Sequence, residues 1–334
     1  MMIKVGIIGT GYFSMFHAKI LSEIVGVELI AIYGTSIEKA KSMASKFTNA
    51  RGYDKLEDML DSNLLDAVYI CVPPMAHGEI ELALIKRGIP FFVEKPLSQD
   101  IETPLTIVTE IKQKSLLTSV GYHYRYSDSI RHLKSILNDQ NIGIVLGQFM
   151  GSMPKVPWWR NQASSGGQFI EQTTHIVDLL RYLCGEVDEV YGVFGNQILS
   201  AQDKSVTVAD VGTVTMKLSN GIIANITNTC ILPESVGKSG ITLFTDQGML
   251  DWTSKRLEIT TKDSTSEYID RVNPYQTESE VFIHAVRTGD STRILSDYED
   301  AYKTHEVTSA ALESAMISTP VKLRLKGWNS LVNN

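Results

Sequence analysis

Two stretches of this 334-residue chain carry side chains able to move a proton. The first is Glu94-Lys95-Pro96, which closes the apolar run Phe91-Phe92-Val93. The C-terminal end of a strand in an open α/β sheet is where ligands bind. Pro96 biases Lys95 toward extended backbone, so that its amine can be held at a fixed angle. A Lys-Pro pair in a surface loop has the same letters, and alone it would not single out Lys95. The second stretch, Gly166 to Asp178, reads Gly-Gly-Gln-Phe-Ile-Glu-Gln-Thr-Thr-His-Ile-Val-Asp. At about 100° per residue, offsets of four and seven set Glu171, His175 and Asp178 on one helix face. A carboxylate beside an imidazole raises its basicity and fixes its tautomer. A surface charge pair looks the same. Metal ligation is the weaker reading, because no further His, Cys or carboxylate motif completes a site, and no metal is expected.

A third stretch suits an anion. Ile3 to Ile8 runs into Gly9-Thr10-Gly11-Tyr12-Phe13-Ser14, the pattern G-x-G-x-x-G with serine in the third place. Gly9 permits a tight turn, Gly11 lets the backbone approach a pyrophosphate, and the helix that follows presents free N–H groups beside Tyr12 and Phe13. Some 20 residues on, an acidic side chain would accept hydrogen bonds from the ribose hydroxyls of NAD. Tyr33-Gly34-Thr35-Ser36 offers no carboxylate until Glu38. That absence removes repulsion toward a 2′-phosphate, and Thr35, Ser36 and Lys39 supply donors. NAD(P) is therefore expected, with NADP ahead of NAD. A polar cap at Ser36 with Lys39 on a solvated face fits the same residues.

The elements that must position these groups are legible in the hydrophobic pattern. Strand-like runs at Ile3 to Ile8, Val27 to Tyr33, Ala67 to Val72, Phe91 to Glu94 and Leu117 to Val120 alternate with amphipathic segments, the signature of βαβ units around a parallel sheet. After Gly121 the texture changes. A helix is predicted from Ser127 to Leu137 and another from Gln168 to Cys184, closed by Gly185. Strands then follow at turn-length spacing: Glu189 to Phe194, Gly212 to Leu218, Ile222 to Thr229, Gly240 to Thr245 and Leu257 to Thr261. Asn220-Gly221 marks a hairpin whose two turn positions both accept positive φ. Helices at Ser279 to Arg287 and Tyr298 to Ser314 come next, and Pro320 to Leu323 is a last strand or a tail. The fold class is α/β, with a dinucleotide-binding domain over 1–121 and a second α/β domain over 122–334 built on a large, mostly antiparallel open sheet.

Composition agrees with this picture and removes several functions. Hydrophobic residues make up 43% and charged residues 21%, the balance of a globular protein. A formal charge of −7, from 31 basic and 38 acidic side chains, makes nucleic acid an unexpected partner. Cys71, Cys184 and Cys230 are too few and scattered for a disulfide framework and read as small buried groups. Met1-Met2-Ile3-Lys4 leads directly into a strand without a signal-peptide pattern, and no run reaches the roughly 20 apolar residues of a membrane span. A cytoplasmic location without membrane association is the expectation.

With the glycine loop, Glu94-Lys95-Pro96 and Glu171 to His175 in this order, the chain resembles the Gfo/Idh/MocA oxidoreductase family over nearly its whole length. Cys71-Val72-Pro73-Pro74 with His77, and Gly221 after Asn220, support the resemblance. It implies a Rossmann domain followed by an α/β domain, and hydride transfer between NAD(P) and a hydroxyl or carbonyl carbon of a sugar or cyclitol. It further implies that Lys95 and His175 are the proton-transfer pair, and that Val72, Pro73, His77 and Glu94 lie near the cofactor. Glu171 stands where many members have aspartate, Pro74 where many have asparagine, and Asp178 supports the site without reacting.

Oxidising an alcohol needs a base within about 3 Å of the hydroxyl. An imidazole with an ordinary pKa near 6.5 suits that role directly, whereas an amine near 10.4 must first be lowered. His175 is thus assigned the proton and Lys95 a hydrogen bond to the substrate oxygen. Tyr122, Arg125, Trp158 and Trp159 are the candidates for substrate recognition beside Glu171 and His175, since an aromatic plane suits the apolar face of a sugar ring. Two adjacent tryptophans cannot point the same way in a helix or strand. His123 and Arg125 could take a carboxylate or phosphate. Two other functions share these residues: a sensor of NAD(P) or sugar without turnover, and an enzyme that oxidises a carbon transiently with no net redox change. An open sheet with an uncovered apolar face predicts a homodimer or homotetramer.

Overall fold

The computed structural model describes residues 2–323 apart from Asn63 and Lys255; the end of the expected second domain, 324–334, lies outside the described residues. The described residues form two compact units. One comprises 2–98, Glu102–His123 and Asn273–Tyr302, the other Gln99–Ile101, Tyr124–Val272 and 303–323.

In the first unit, β1 (Ile3–Ile8), β2 (Val27–Tyr33), β3 (Arg51–Tyr53), β4 (Ala67–Ile70), β5 (Phe91–Val93) and β6 (Thr118–Val120) form a parallel sheet in the order 3-2-1-4-5-6. This is the doubly wound order of a Rossmann fold. The crossovers carry α1 (Tyr12–Glu23), α2 (Ile37–Ala44), α3 (Leu56–Ser62), α4 (Glu79–Arg87) and α5 (Glu102–Lys114). Ile3, Val5, Ile7, Ala67, Tyr69 and Phe92 are wholly buried against Ala18 and Leu21 of α1. Burial on both faces is why these strands read as mostly apolar runs. β4 and β5 end before Cys71 and Glu94, so the residues of chemical interest leave the sheet at its C-terminal edge instead of belonging to the strands. β3 carries too short an apolar signal to be read in sequence. Gly52 lets it pack on α2, where a Cβ would come within 2.5 Å of the Lys41 nitrogen.

The second unit contains α6 (Asp128–Leu137), β7 (Ile142–Met150), α7 (Gln162–Ser165), α8 (Gln168–Glu171), α9 (Thr174–Cys184), β8 (Val187–Gly195) and α10 (Leu199–Gln202). It continues with β9 (Val211–Leu218), β10 (Ile223–Thr229), β11 (Lys238–Thr245), β12 (Gly248–Thr253), β13 (Arg256–Thr261) and β14 (Thr265–Ile269). α11 (Pro274–Thr288) belongs to the first unit, α12 (Tyr298–Ile317) begins there, and β15 (Val321–Lys322) returns to the second. The sheet runs β14-β13-β12-β11-β7-β10-β9-β8-β15, with β7 and β10 parallel and the other neighbours antiparallel. Helix α9 lies on one face so closely that a Cβ on Gly147 of β7 would come within 2.7 Å of Ile176 Cγ2.

The hairpin at Asn220-Gly221 forms, but only Gly221 has positive φ, at +91°. Asn220 stays in ordinary backbone, with its amide donating to the Cys184 carbonyl at 2.7 Å. The longer loop, closed by Leu218 N–H to the Ile222 carbonyl, needs one left-handed residue instead of two. Cys184 and Cys230 are buried as expected, and burial pushes each thiol up to about 12. Among the described residues no helix is long and apolar enough to cross a membrane.

Candidate functional site

Gly9, Thr10 and Gly11 form the turn between β1 and α1. Gly9 has φ +116°, and a Cβ there would fall 2.3 Å from the Cys71 carbonyl oxygen and 2.7 Å from Ser14 Oγ, so no other residue fits. A Cβ on Gly11 would meet nothing within 4 Å, so the turn opens outward at that point. Helix α1 has no side-chain cap and no acidic residue in its first turn, which leaves the positive end of its dipole to an external anion. These features fit a dinucleotide pyrophosphate. Tyr12 and Phe13 follow, 78% and 41% exposed. Buried Ser14, in the third glycine's place, donates to the Cys71 carbonyl at 3.3 Å and ties α1 to the end of β4.

Gly34 makes room for Thr10, whose Cγ2 would lie 2.6 Å from an added Cβ. Ser36 caps α2 by accepting the Lys39 N–H at 3.4 Å. The Glu38 carboxyl is held below its ordinary range by its own backbone N–H and then by Ser36, so the Ser36 hydroxyl is committed within its own helix. Thr35 and Lys39 are exposed. Val72 and Pro73 leave β4 half-buried. The His77 side chain is only 1% exposed, its Nδ1 2.5 Å from Glu81 Oε1, while Glu81 Oε2 accepts the Gly78 N–H at 2.7 Å. His77 is thus fixed at the start of α4.

At the end of β5 the buried Glu94 accepts the Lys95 backbone N–H at 3.2 Å through Oε2. Its Oε1 lies 2.7 Å from Nε2 of His17, a wholly buried residue of α1. Lys95 is half-buried and its bond to Pro96 is cis. Glu278 of α11 is also wholly buried, and neither of its oxygens has a hydrogen-bond partner. Burial, and then the charge of Glu94, push its carboxyl well above the ordinary range. Donor atoms of His17, Glu94 and Glu278 all lie within 4.8 Å of one another. That spacing suits a metal, but His17 Nε2 already meets Glu94, so hydrogen bonding accounts for the closest contact. His123 is buried and stacks on Tyr275 with ring centroids 3.8 Å apart. Burial first, then the nearby Lys95 and His17, push its pKa down to about 3, so the ring is neutral. Tyr122 is buried, 1% exposed.

In the second unit the helix predicted from Gln168 to Cys184 is divided. α8 stops at Glu171 and α9 starts at Thr174, with the Thr173 N–H bonded to the Gln168 carbonyl at 2.9 Å. The Gln168 side chain fixes the start of α8. Its amide donates to the Thr229 carbonyl at 2.9 Å and accepts from Asn228 Nδ2 at 2.7 Å, anchoring α8 to the end of β10. Glu171 and His175 therefore do not share one continuous helix. Glu171 Oε2 accepts the indole N–H of Trp159 at 2.8 Å. Trp159 is buried with Val206, Val208 and Cys230, whereas Trp158 is half-buried, so the neighbouring tryptophans differ in exposure. His175, 8% exposed, opens α9 with its ring centroid 5.1 Å from that of Tyr124. Asp178 accepts two bonds from Arg125, at 2.8 and 2.6 Å, and one from Thr304 at 3.1 Å. Arg125 is therefore charge-paired inside the fold, and with His123 neutral neither expected cation stands ready for an acidic substrate.

Sequence reading passed over His17, Glu278 and Gln168. His17 left a faint signal, lying with Ser14 and Leu21 at helical spacing on the buried face of α1. Comparison with known proteins places this arrangement. The model of the Gfo/Idh/MocA oxidoreductase family, NAD-binding Rossmann fold, matches residues 3–122, and that of the Gfo/Idh/MocA C-terminal domain matches residues 130–251. Glucose-6-phosphate 3-dehydrogenase of Bacillus subtilis is 26% identical over 249 residues, covering 71% of this chain and 70% of that protein. Myo-inositol 2-dehydrogenase of Thermotoga maritima is 27% identical over 229 residues, covering 67% and 68%. A levoglucosan dehydrogenase solved with NADH and levoglucosan superposes with a TM-score of 0.86 at 19% identity, covering 97% of this chain and 99% of that one.

Proposed function

Because the chain belongs to the Gfo/Idh/MocA oxidoreductase family, we propose that it is a dehydrogenase moving a hydride between NAD(P) and a hydroxyl or carbonyl carbon of a sugar, cyclitol or related polyol. The observation that carries this reading is the C-terminal edge of the parallel sheet, where a turn open at Gly11 and a lysine held through Glu94 follow strands of the same sheet. The names of the relatives support the substrate class: they are a sugar-phosphate, an inositol and an anhydrosugar dehydrogenase.

The nicotinamide, when bound, supplies the hydride acceptor. Gly9 to Phe13 hold the pyrophosphate, and Thr35 and Lys39 favour NADP over NAD; Val72, Pro73 and Glu94 lie along the same edge. Lys95 hydrogen-bonds the reacting oxygen and polarises it. His175 takes the proton on oxidation and returns it on reduction. Glu171, steadied by Trp159, accepts from a second hydroxyl, while Trp158 and Tyr122 present ring faces to the sugar. The enzyme works in the cytoplasm as a homodimer or homotetramer.

Purified protein with NAD or NADP and a panel of inositols, hexoses and hexose phosphates should form reduced cofactor in step with ketone product. Product without accumulating reduced cofactor would instead mark transient oxidation. Lys95→Met should lower kcat at least about a hundredfold, the range for a positioned acid–base group, while cofactor Kd stays within a few fold. Unchanged turnover would remove Lys95 from the mechanism.

A further inference from the structure

We propose that Glu278 is a positioning residue for Lys95, acting through His17 and Glu94. The inference rests on the reading of Lys95 as a reacting group. Glu278 has no exposed surface, and neither oxygen is hydrogen-bonded. A buried polar group in that state costs stability, and an apolar side chain of similar volume would serve packing better. Its surroundings say what it does instead. Among the described residues, the titratable groups recorded beside it are His17 of α1, Glu94 at the end of β5 and the Cys71 thiol at the end of β4.

The His17 ring is walled in by aromatic rings, with centroids 5.5 Å from Tyr69, 5.2 Å from Phe92 and 5.9 Å from Phe16. With apolar faces around it, its tilt is held by the bond from Nε2 to Glu94, while Nδ1 has no hydrogen-bond partner and a Glu278 carboxyl oxygen lies within 4.8 Å of a ring nitrogen. Glu94 is confined in turn. A Cβ on Gly121 would lie 3.0 Å from its carboxyl carbon and from both oxygens, so that glycine marks how tightly the backbone packs on the group. The carboxylate so held accepts the Lys95 N–H, the backbone from which the amine departs. Burial and then Glu94 push the Glu278 carboxyl toward its neutral form, which leaves the His17–Glu94 bond undisturbed. An ionised Glu278 would repel Glu94 and loosen that bond.

The test is a cycle between Glu278 and Lys95, with substrate KM, cofactor Kd and the pH profile read for each variant. Glu278→Gln keeps the shape and neutrality, and kcat should stay within about threefold. Glu278→Leu fills the space without a polar group. It should lower kcat roughly tenfold or more with KM and Kd little changed, and it should move the pH midpoint of kcat. In the Lys95→Met background the same change should cost nothing further. Should the Leu variant not fold, Glu278→Asp, which retracts the carboxyl by one methylene, enters the same cycle. A harmless Glu278→Leu change (or Glu278→Asp where it takes its place), or a loss that adds fully to that of Lys95→Met, overturns the inference and leaves Lys95 catalytic. An unimpaired Lys95→Met would instead sink the catalytic reading itself.

Discussion

His123 is an imidazole that the fold keeps uncharged. Its pKa is pushed from the ordinary value of 6.5 down to about 3 by burial and by the neighbouring Lys95 and His17. The sign of the consequence is fixed: below pH 6.5 the unfolded chain takes up a proton that the native ring refuses. Its contribution is fully present above that pH and is lost as pH falls toward 3, at up to about 1.4 kcal/mol per pH unit. His123→Phe keeps a ring to stack on Tyr275 and removes the titration. Urea unfolding at pH 7, 6 and 5 should show the parent losing stability faster than the variant, and parallel curves would refute the assignment. The placement of Lys95 and the glycines at the C-terminal edge of the parallel sheet was legible because they stand in short contiguous motifs. The His17–Glu94 contact was not, because it joins residues 77 positions apart.

Elements were legible where burial imposes one period and obscure where it does not. β1 and β2 match their expected limits because both are rich in β-branched and other apolar residues, broken only by Lys4 and Glu28 near their starts. β7 was missed because Gly143 and Gly147 interrupt its pattern; the latter exists to admit α9, a demand only the packed structure reveals. α11 starts at Pro274, five residues earlier than expected, capped by Asn273 with proline at the first helical position. Those five residues carry Tyr275 and Glu278, which is why both escaped notice. The divided α8–α9 segment bears directly on function, since it sends Glu171 to Trp159 and Asp178 to Arg125. The Arg125–Asp178 pair should behave as a structural pin. Asp178→Ala leaves a buried guanidinium uncompensated and should cost about 3–5 kcal/mol in denaturant unfolding. The double variant Arg125→Met, Asp178→Leu should recover most of it. Equal losses for the single and double variants would contradict that role.

At the scale of the whole molecule, the nine-stranded sheet has helices on one face and a strip of uncharged side chains on the other. Ile144 and Leu146 of β7, Ile223 of β10, and Tyr191 and Val193 of β8 are each between 41% and 51% exposed. Strand register sets Ile144 beside Ile223 and Leu146 beside Asn225, with Thr213 and Thr215 of β9 continuing toward β8. An exposed apolar strip of this kind favours burial by association. Exposed Lys217 pairs with Ile223 at one end of the strip, and a second copy of this chain, presenting the same apolar side chains, supplies the self-complementarity that a two-fold interface needs. Leu146→Lys with Val193→Lys places cations in the strip without touching the buried face. Light scattering after gel filtration should show the parent at a multiple of 37.1 kDa and the double variant nearer one chain. Circular dichroism should be unchanged. A monomeric parent, or a variant that keeps the parent's mass, would move the interface off this sheet.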